Sequence, residues 1–172
     1  MPRRIIIAAA VVALAGCAGA MRGAPADPPV VREDDLRQLS GAQWKGTLRS
    51  RDLQTNLITT VPAHVTVTQS SDDPLAWIFS YEYPREPRAS RRHTVVLSAD
   101  GRSIDDAKVV ERRTLADGTL RVVTWKASRE GDRYLAYRNV YLIGGSRASI
   151  RKEVIYDRSA EYVERNTFTG AR

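Results

Sequence analysis

The chain has 172 residues, 42% of them hydrophobic and 27% charged, with 27 Lys and Arg against 20 Asp and Glu, a net charge of +7. That length suits one domain, and the mixture of apolar and charged residues excludes a wholly disordered, collagenous or polytopic membrane protein. A single cysteine excludes an internal disulfide framework, and the basic balance raises the question of a nucleic-acid partner.

The first residues answer that question. Arg3 and Arg4 precede residues 5–14, which are only Ile, Ala, Val and Leu, and Ala15 and Gly16 follow. A cationic start, a short apolar run and small residues make a secretory signal. The apolar run is too short to cross a bilayer as a helix, which takes ~20 residues. The sequence therefore predicts export with loss of residues 1–16, which leaves 25 basic residues against 20 acidic ones. Outside the cytoplasm that excess faces an anionic envelope, and nucleic acid is not expected as a partner.

Cys17 comes directly after the small residues, and its sulfur is the most easily alkylated side-chain group at neutral pH. Leu14-Ala15-Gly16-Cys17 resembles the lipobox of bacterial lipoproteins. The resemblance implies a diacylglycerol on the Cys17 thiol and an acyl chain such as palmitate on its amine, with no other cofactor. With Ala18 in second place it also implies outer-membrane attachment and a domain facing the periplasm. Residues 17–32 hold Gly19, Gly23, Pro25, Pro28 and Pro29 and few large apolar groups, the composition of a tether. The folded domain is predicted over residues 33–172.

Glu33, Asp34 and Asp35 ahead of Leu36 and Leu39 predict a turn or two of helix with acidic groups at its positive end, stopped by Gly41. The period then changes to two. Trp44, Gly46 and Leu48 alternate with Lys45, Thr47 and Arg49, and Val61, Ala63, Val65 and Val67 alternate with His64, Thr66 and Thr68. Trp77, Phe79, Tyr81 and Tyr83 repeat the pattern, the signature of strands with one wet face. Turn signals recur at 71–74, 84–87, Asp100-Gly101, Asp117-Gly118, Glu130-Gly131, Gly144-Gly145 and 157–159. Their wide spacing predicts long strands joined by short hairpins, an all-β up-and-down meander of about eight to nine strands that closes into a barrel. Lys45, Arg49, Arg51 and Glu82 on the outer faces argue against a lipid-facing channel.

Gly41-Ala42-Gln43-Trp44-Lys45-Gly46 after a short helix, the long meander and Arg165 near the end resemble the lipocalin-like (calycin) barrels. Tyr81-Glu82-Tyr83-Pro84-Arg85-Glu86-Pro87, and Arg151 to Asp157 with Arg165-Asn166-Thr167, are similar to bacterial lipoproteins of this type. The resemblance covers residues 36–168. It implies an early tryptophan closing the barrel beneath a late arginine, here Trp44 with Arg165 as a structural cation–π pair.

Catalytic chemistry finds little support. Two histidines, His64 and His93, fall short of a metal site, no Gly-x-Ser-x-Gly elbow occurs, and Asp105, Asp106 and Glu111 read as a solvated turn and its neighbour. Enzyme activity is not expected. Two readings stay open. Trp77, Phe79, Tyr81, Tyr83, Tyr137, Tyr141 and Tyr156 either line a cavity for a small apolar or amphipathic ligand or fill a solid barrel. In the second case Arg85, Arg88, Arg91 and Arg92 would act as a basic loop toward a protein or anionic headgroups.

Overall fold

The computed structural model describes residues 27–157 and 159–172. The expected signal segment, Cys17 and most of the expected tether lie outside the described residues. In chain order the elements are α1 (Glu33–Arg37), β1 (Gln43–Arg51), β2 (Ile58–Gln69), β3 (Ala76–Glu82), β4 (Arg91–Val96) and β5 (Ser103–Ile104). β6 (Ala107–Thr114), β7 (Leu120–Glu130), β8 (Arg133–Ile143), β9 (Arg147–Tyr156) and β10 (Val163–Ala171) complete them. Ten strands form one antiparallel sheet in the order β4-β3-β2-β1-β10-β9-β8-β7-β6-β5. The two ends of the sheet meet at a single bridge, Leu97 to Ile104, so the meander is a nearly closed barrel, compatible with a calycin-like fold.

Period-two alternation sorts the side chains. Inward positions carry Trp44, Val65, Val67, Trp77, Phe79 and Phe168, all at most 2% exposed. Their outward neighbours Lys45, Thr68 and Glu82 are exposed, as half-wet strands require. Where β1 crosses β10, Gly46 faces Gly170. A Cβ on Gly46 would stand 1.9 Å from the Thr169 carbonyl oxygen, so only glycine permits this approach.

One end of the barrel is capped. Leu36 and Leu39 are buried beneath α1, and the Trp44 indole Nε1 donates to the Leu39 carbonyl at 2.7 Å. Arg112 of β6 reaches the cap through two donors to Asp35, each 2.7 Å. The packed domain begins before Glu33, because Val31 is 1% exposed and its N–H donates to the Gly101 carbonyl at 2.9 Å.

Two expectations, the strand count and the partner of Trp44, need correcting, and one turn carried no signal. The strands number ten rather than eight or nine, because Asp105 and Asp106, both at positive φ (50° and 59°), split the segment after Gly101 into β5 and β6. The β1–β2 hairpin carries no Gly or Pro; Asp52 Oδ1 builds it by accepting from the Gln54 and Thr55 N–H groups. The cation over Trp44 is Arg172, with its guanidinium carbon 4.6 Å from the ring centre, and Arg165 is not its partner. Arg165 sits in the β9–β10 irregularity between Glu164 and Asn166 and donates instead to the Tyr137 hydroxyl at 3.4 Å.

Candidate functional site

The wall of the barrel is incomplete on the side away from the cap. β5 is two residues long, and the turn at Asp105 and Asp106 sends the chain back at once. Lys108 of β6 is already level with Trp125 of β7. On the side facing the gap, residues 91–94 of β4 and 126–130 of β7 therefore have no partner strand, although β3 and β8 pair with them on the other side. Asp105 secures the edge of this gap: Oδ1 accepts from the Val96 N–H at 2.8 Å, and the Asp105 N–H donates to the Val96 carbonyl at 2.9 Å. Its Oδ2 lies 3.2 Å from His93 Nε2. Aspartate suits the position because its short polar side chain tolerates positive φ and bonds locally.

Behind the gap lies a cavity of ≈ 630 Å³ within the barrel. The cap-side half of the interior is packed by large apolar groups, but at this level the inward positions become polar. Phe79, Tyr81, Tyr137 and Tyr141 supply aromatic surface, and Asn139 and Asn166 supply amides. Lys126, Lys152, Arg91 and Arg92 supply cations, against one carboxylate, Asp105. β7 and β8 hold Lys126 level with Tyr137, and β8 and β9 hold Lys152 level with Asn139.

The electrostatics follow from this placement. Lys152 Nζ sits 4.2 Å over the Tyr137 ring. Burial, then the nearby charge of Arg165, pulls the Lys152 pKa below the ordinary lysine value, with Glu130 opposing. Burial raises the Tyr81 phenol to about 12 against the contrary pull of Arg91. The Tyr141 phenol is raised too, by burial first and then by the charge of Asp105. Both tyrosines are therefore neutral hydrogen-bond donors at physiological pH. Among the described residues neither hydroxyl has a hydrogen-bond partner.

The aromatic residues singled out from sequence divide into groups. Phe79, Tyr81, Tyr137 and Tyr141 line the cavity. Trp77, at 0% exposed, and Tyr83, at 8%, belong to the packed core instead. Tyr156 lines a separate, more open bowl of ≈ 680 Å³ with Arg51, Asp52 and Arg165. The four arginines also separate: Arg91 and Arg92 border the cavity, whereas Arg85 and Arg88 are exposed on the β3–β4 connection. His64 is on the outer face, level with Lys45 and Glu82. Among the described residues no group of three His, Cys, Asp or Glu side chains could hold a metal.

Lys126, Lys152 and Asp105 were not evident as site residues in the sequence. The signal for Lys152 was present, since it interrupts the inward series Ala148, Ile150 and Val154. No family model matches the chain, and no curated protein is significantly similar to it.

Proposed function

We propose that this chain is a lipoprotein of the bacterial envelope, anchored in the outer membrane through acylated Cys17, whose periplasmic barrel binds a small amphipathic molecule. The supporting observation is the ≈ 630 Å³ cavity, a size within the range of small-molecule sites, lined among others by Tyr81 and Tyr141, whose hydroxyls have no hydrogen-bond partner among the described residues. A barrel that served only as a scaffold gains nothing from leaving such a space unfilled, because every missing contact forfeits packing. The anchor rests on the Leu14-Ala15-Gly16-Cys17 motif; several acyl chains at ~0.8 kcal/mol per buried methylene make attachment effectively permanent.

Native mass spectrometry on protein purified from its own host tests the binding reading. A discrete extra mass of a small molecule, lost when Tyr141 is replaced by Ala, is the expected result. Protein that always runs at its bare lipidated mass and takes up no small molecule would sink it. Labelling with radioactive palmitate tests the anchor, which predicts label in the wild type and none in Cys17→Ala. The second reading, an interaction module, draws on exposed Arg85 and Arg88; steeply salt-dependent binding to anionic vesicles, lost when both become Ser, would favour it.

A further inference from the structure

The cavity has a marked excess of one sign of charge. Four fixed cations border it and one carboxylate does. That carboxylate, Asp105, is already engaged with the Val96 N–H and with His93. Elsewhere on the barrel arginines have acidic partners: Arg112 has Asp35, Arg121 has Glu111, and Arg138 has Glu153. Lys126 and Lys152 form no ion pair with a carboxylate among the described residues, Glu130 acting on Lys152 only as the weakest of its electrostatic influences, and Arg91 lies instead over the Tyr81 ring, 5.6 Å from its centre. For Lys152, which is half-buried, an ammonium group without an ion pair is unfavourable, and an anion at the same place removes the penalty. The cations also have a geometric order. Arg91 stands on the β4 lip of the wall gap and Lys126 on the β7 lip, while Lys152 is on β9, deeper in the sheet order.

We propose that the cavity selects ligands bearing an oxyanion, a carboxylate or a phosphate, on a flat or apolar body, admitted sideways through the gap between β4 and β7. The oxyanion is held by Lys152 and Lys126 with the Tyr141 hydroxyl as a donor, and the body lies against Phe79, Tyr81 and Tyr137. Arg91 and Arg92 at the lip draw the anion in, an effect that salt screens. The inference rests on the reading of the barrel as a binder and specifies the chemistry of what it binds.

Three probes of one shape separate the possibilities: 2-naphthoate, 2-naphthyl phosphate and the uncharged 2-naphthamide. Equilibrium dialysis against the lipidated protein in phosphatidylcholine vesicles, with protein-free vesicles as blank, measures each. At least one anion is expected to bind about tenfold or more tightly than the amide, and the better of the two identifies the preferred head group. Lys126→Met and Lys152→Met should each bring that anion toward the amide level and leave the amide unchanged. Lys126 is exposed, so its variant is expected to fold, and in the wild type about 0.5 M salt should erase the preference without any mutation. Equal binding of all three probes, or an anion preference unmoved by both lysine variants, overturns the oxyanion inference and leaves the cavity reading standing. Failure of all three to bind overturns both.

Discussion

Arg112 and Asp35 join the cap to the barrel wall across 77 residues of sequence, through Nε and Nη2 donors that each lie 2.7 Å from a carboxylate oxygen. Asp35 also accepts from the Arg32 N–H at 2.8 Å, so one carboxylate fixes both the start of α1 and its seat on β6. Its side chain is 6% exposed and that of Arg112 is 30% exposed, which places the pair between a surface bridge and a fully buried one. Loss of one partner should therefore cost about 2 kcal/mol, above the ~1 of exposed pairs and below the ~3–5 of buried ones. Asp35→Asn, read by urea denaturation of the full chain, should show this loss. An unchanged midpoint would mean that the cap is held by Leu36 and Leu39 alone.

The same pair sets an acid limit. Burial raises the Asp35 pKa, but the Arg112 hydrogen bonds and the Arg32 N–H outweigh it and bring the group below the ordinary carboxylate value of 3.8. A carboxylate depressed in the folded state contributes stability that is present above its unfolded pKa and is lost as pH falls through the folded one. The wild type should lose stability below about pH 4 more steeply than Asp35→Asn, in which nothing titrates there. Parallel curves for the two proteins would remove Asp35 from the acid transition.

The Arg172 side chain makes three contacts at the capped end: the Trp44 ring, the Gly145 carbonyl at 2.8 Å and the Ser40 carbonyl at 3.4 Å. Arg172→Ala should cost about 1 kcal/mol, the range of a cation–π contact with added hydrogen bonds. Arg165→Ala should leave the packing at Trp44 alone, since that guanidinium reaches Tyr137 instead. If Arg165→Ala perturbs the Trp44 indole NMR signal and Arg172→Ala does not, the assignment of partners is wrong.

Asp105 carries a side-chain bond across the gap edge, its Oδ1 accepting from the Val96 N–H at 2.8 Å. Asp105→Asn keeps an acceptor and a residue tolerant of positive φ, and should change stability by less than about 0.5 kcal/mol. Asp105→Ala loses both and should cost about 1–2 kcal/mol, with faster hydrogen exchange at the Val96 N–H. Unaltered exchange at Val96 in the alanine variant would show that the Asp105 side chain does not hold the edge.

The alternation of Trp44, Val65 and Phe79 with Lys45, Thr66 and Ser80 made the meander legible, because a half-wet strand records its own phase. Closure and site were harder to read. β5 is too short to show a period, and its turn uses two aspartates at positive φ rather than glycine, so the gap in the wall had no ordinary signal. Phe79, Tyr81, Tyr137 and Tyr141 were visible as an inner aromatic set, but depth along the barrel, which separates them from Trp77, depends on register between strands. Lys126 and Lys152 are placed on the cavity side only by strand pairing, level with Tyr137 and Asn139. Arg172 was passed over because sequence position says nothing about which of two late arginines reaches the cap.

Trp77 decides between core and cavity in the aromatic set. Its side chain is fully buried, and it pairs level with Gln69 on β2 and Val95 on β4, on the capped side of Phe79. Its indole N–H has no hydrogen-bond partner, so packing alone holds it. Trp77→Ala should cost about 3–5 kcal/mol through lost burial and the void left behind, lowering the thermal midpoint sharply. Tyr141→Phe removes only a hydroxyl that faces the cavity and has no protein partner, so stability should hold within about 0.5 kcal/mol while ligand capture weakens. The two variants together separate the regions. Were Trp77→Ala to keep its midpoint and lose ligand, the cavity would have to extend past Phe79 toward the cap.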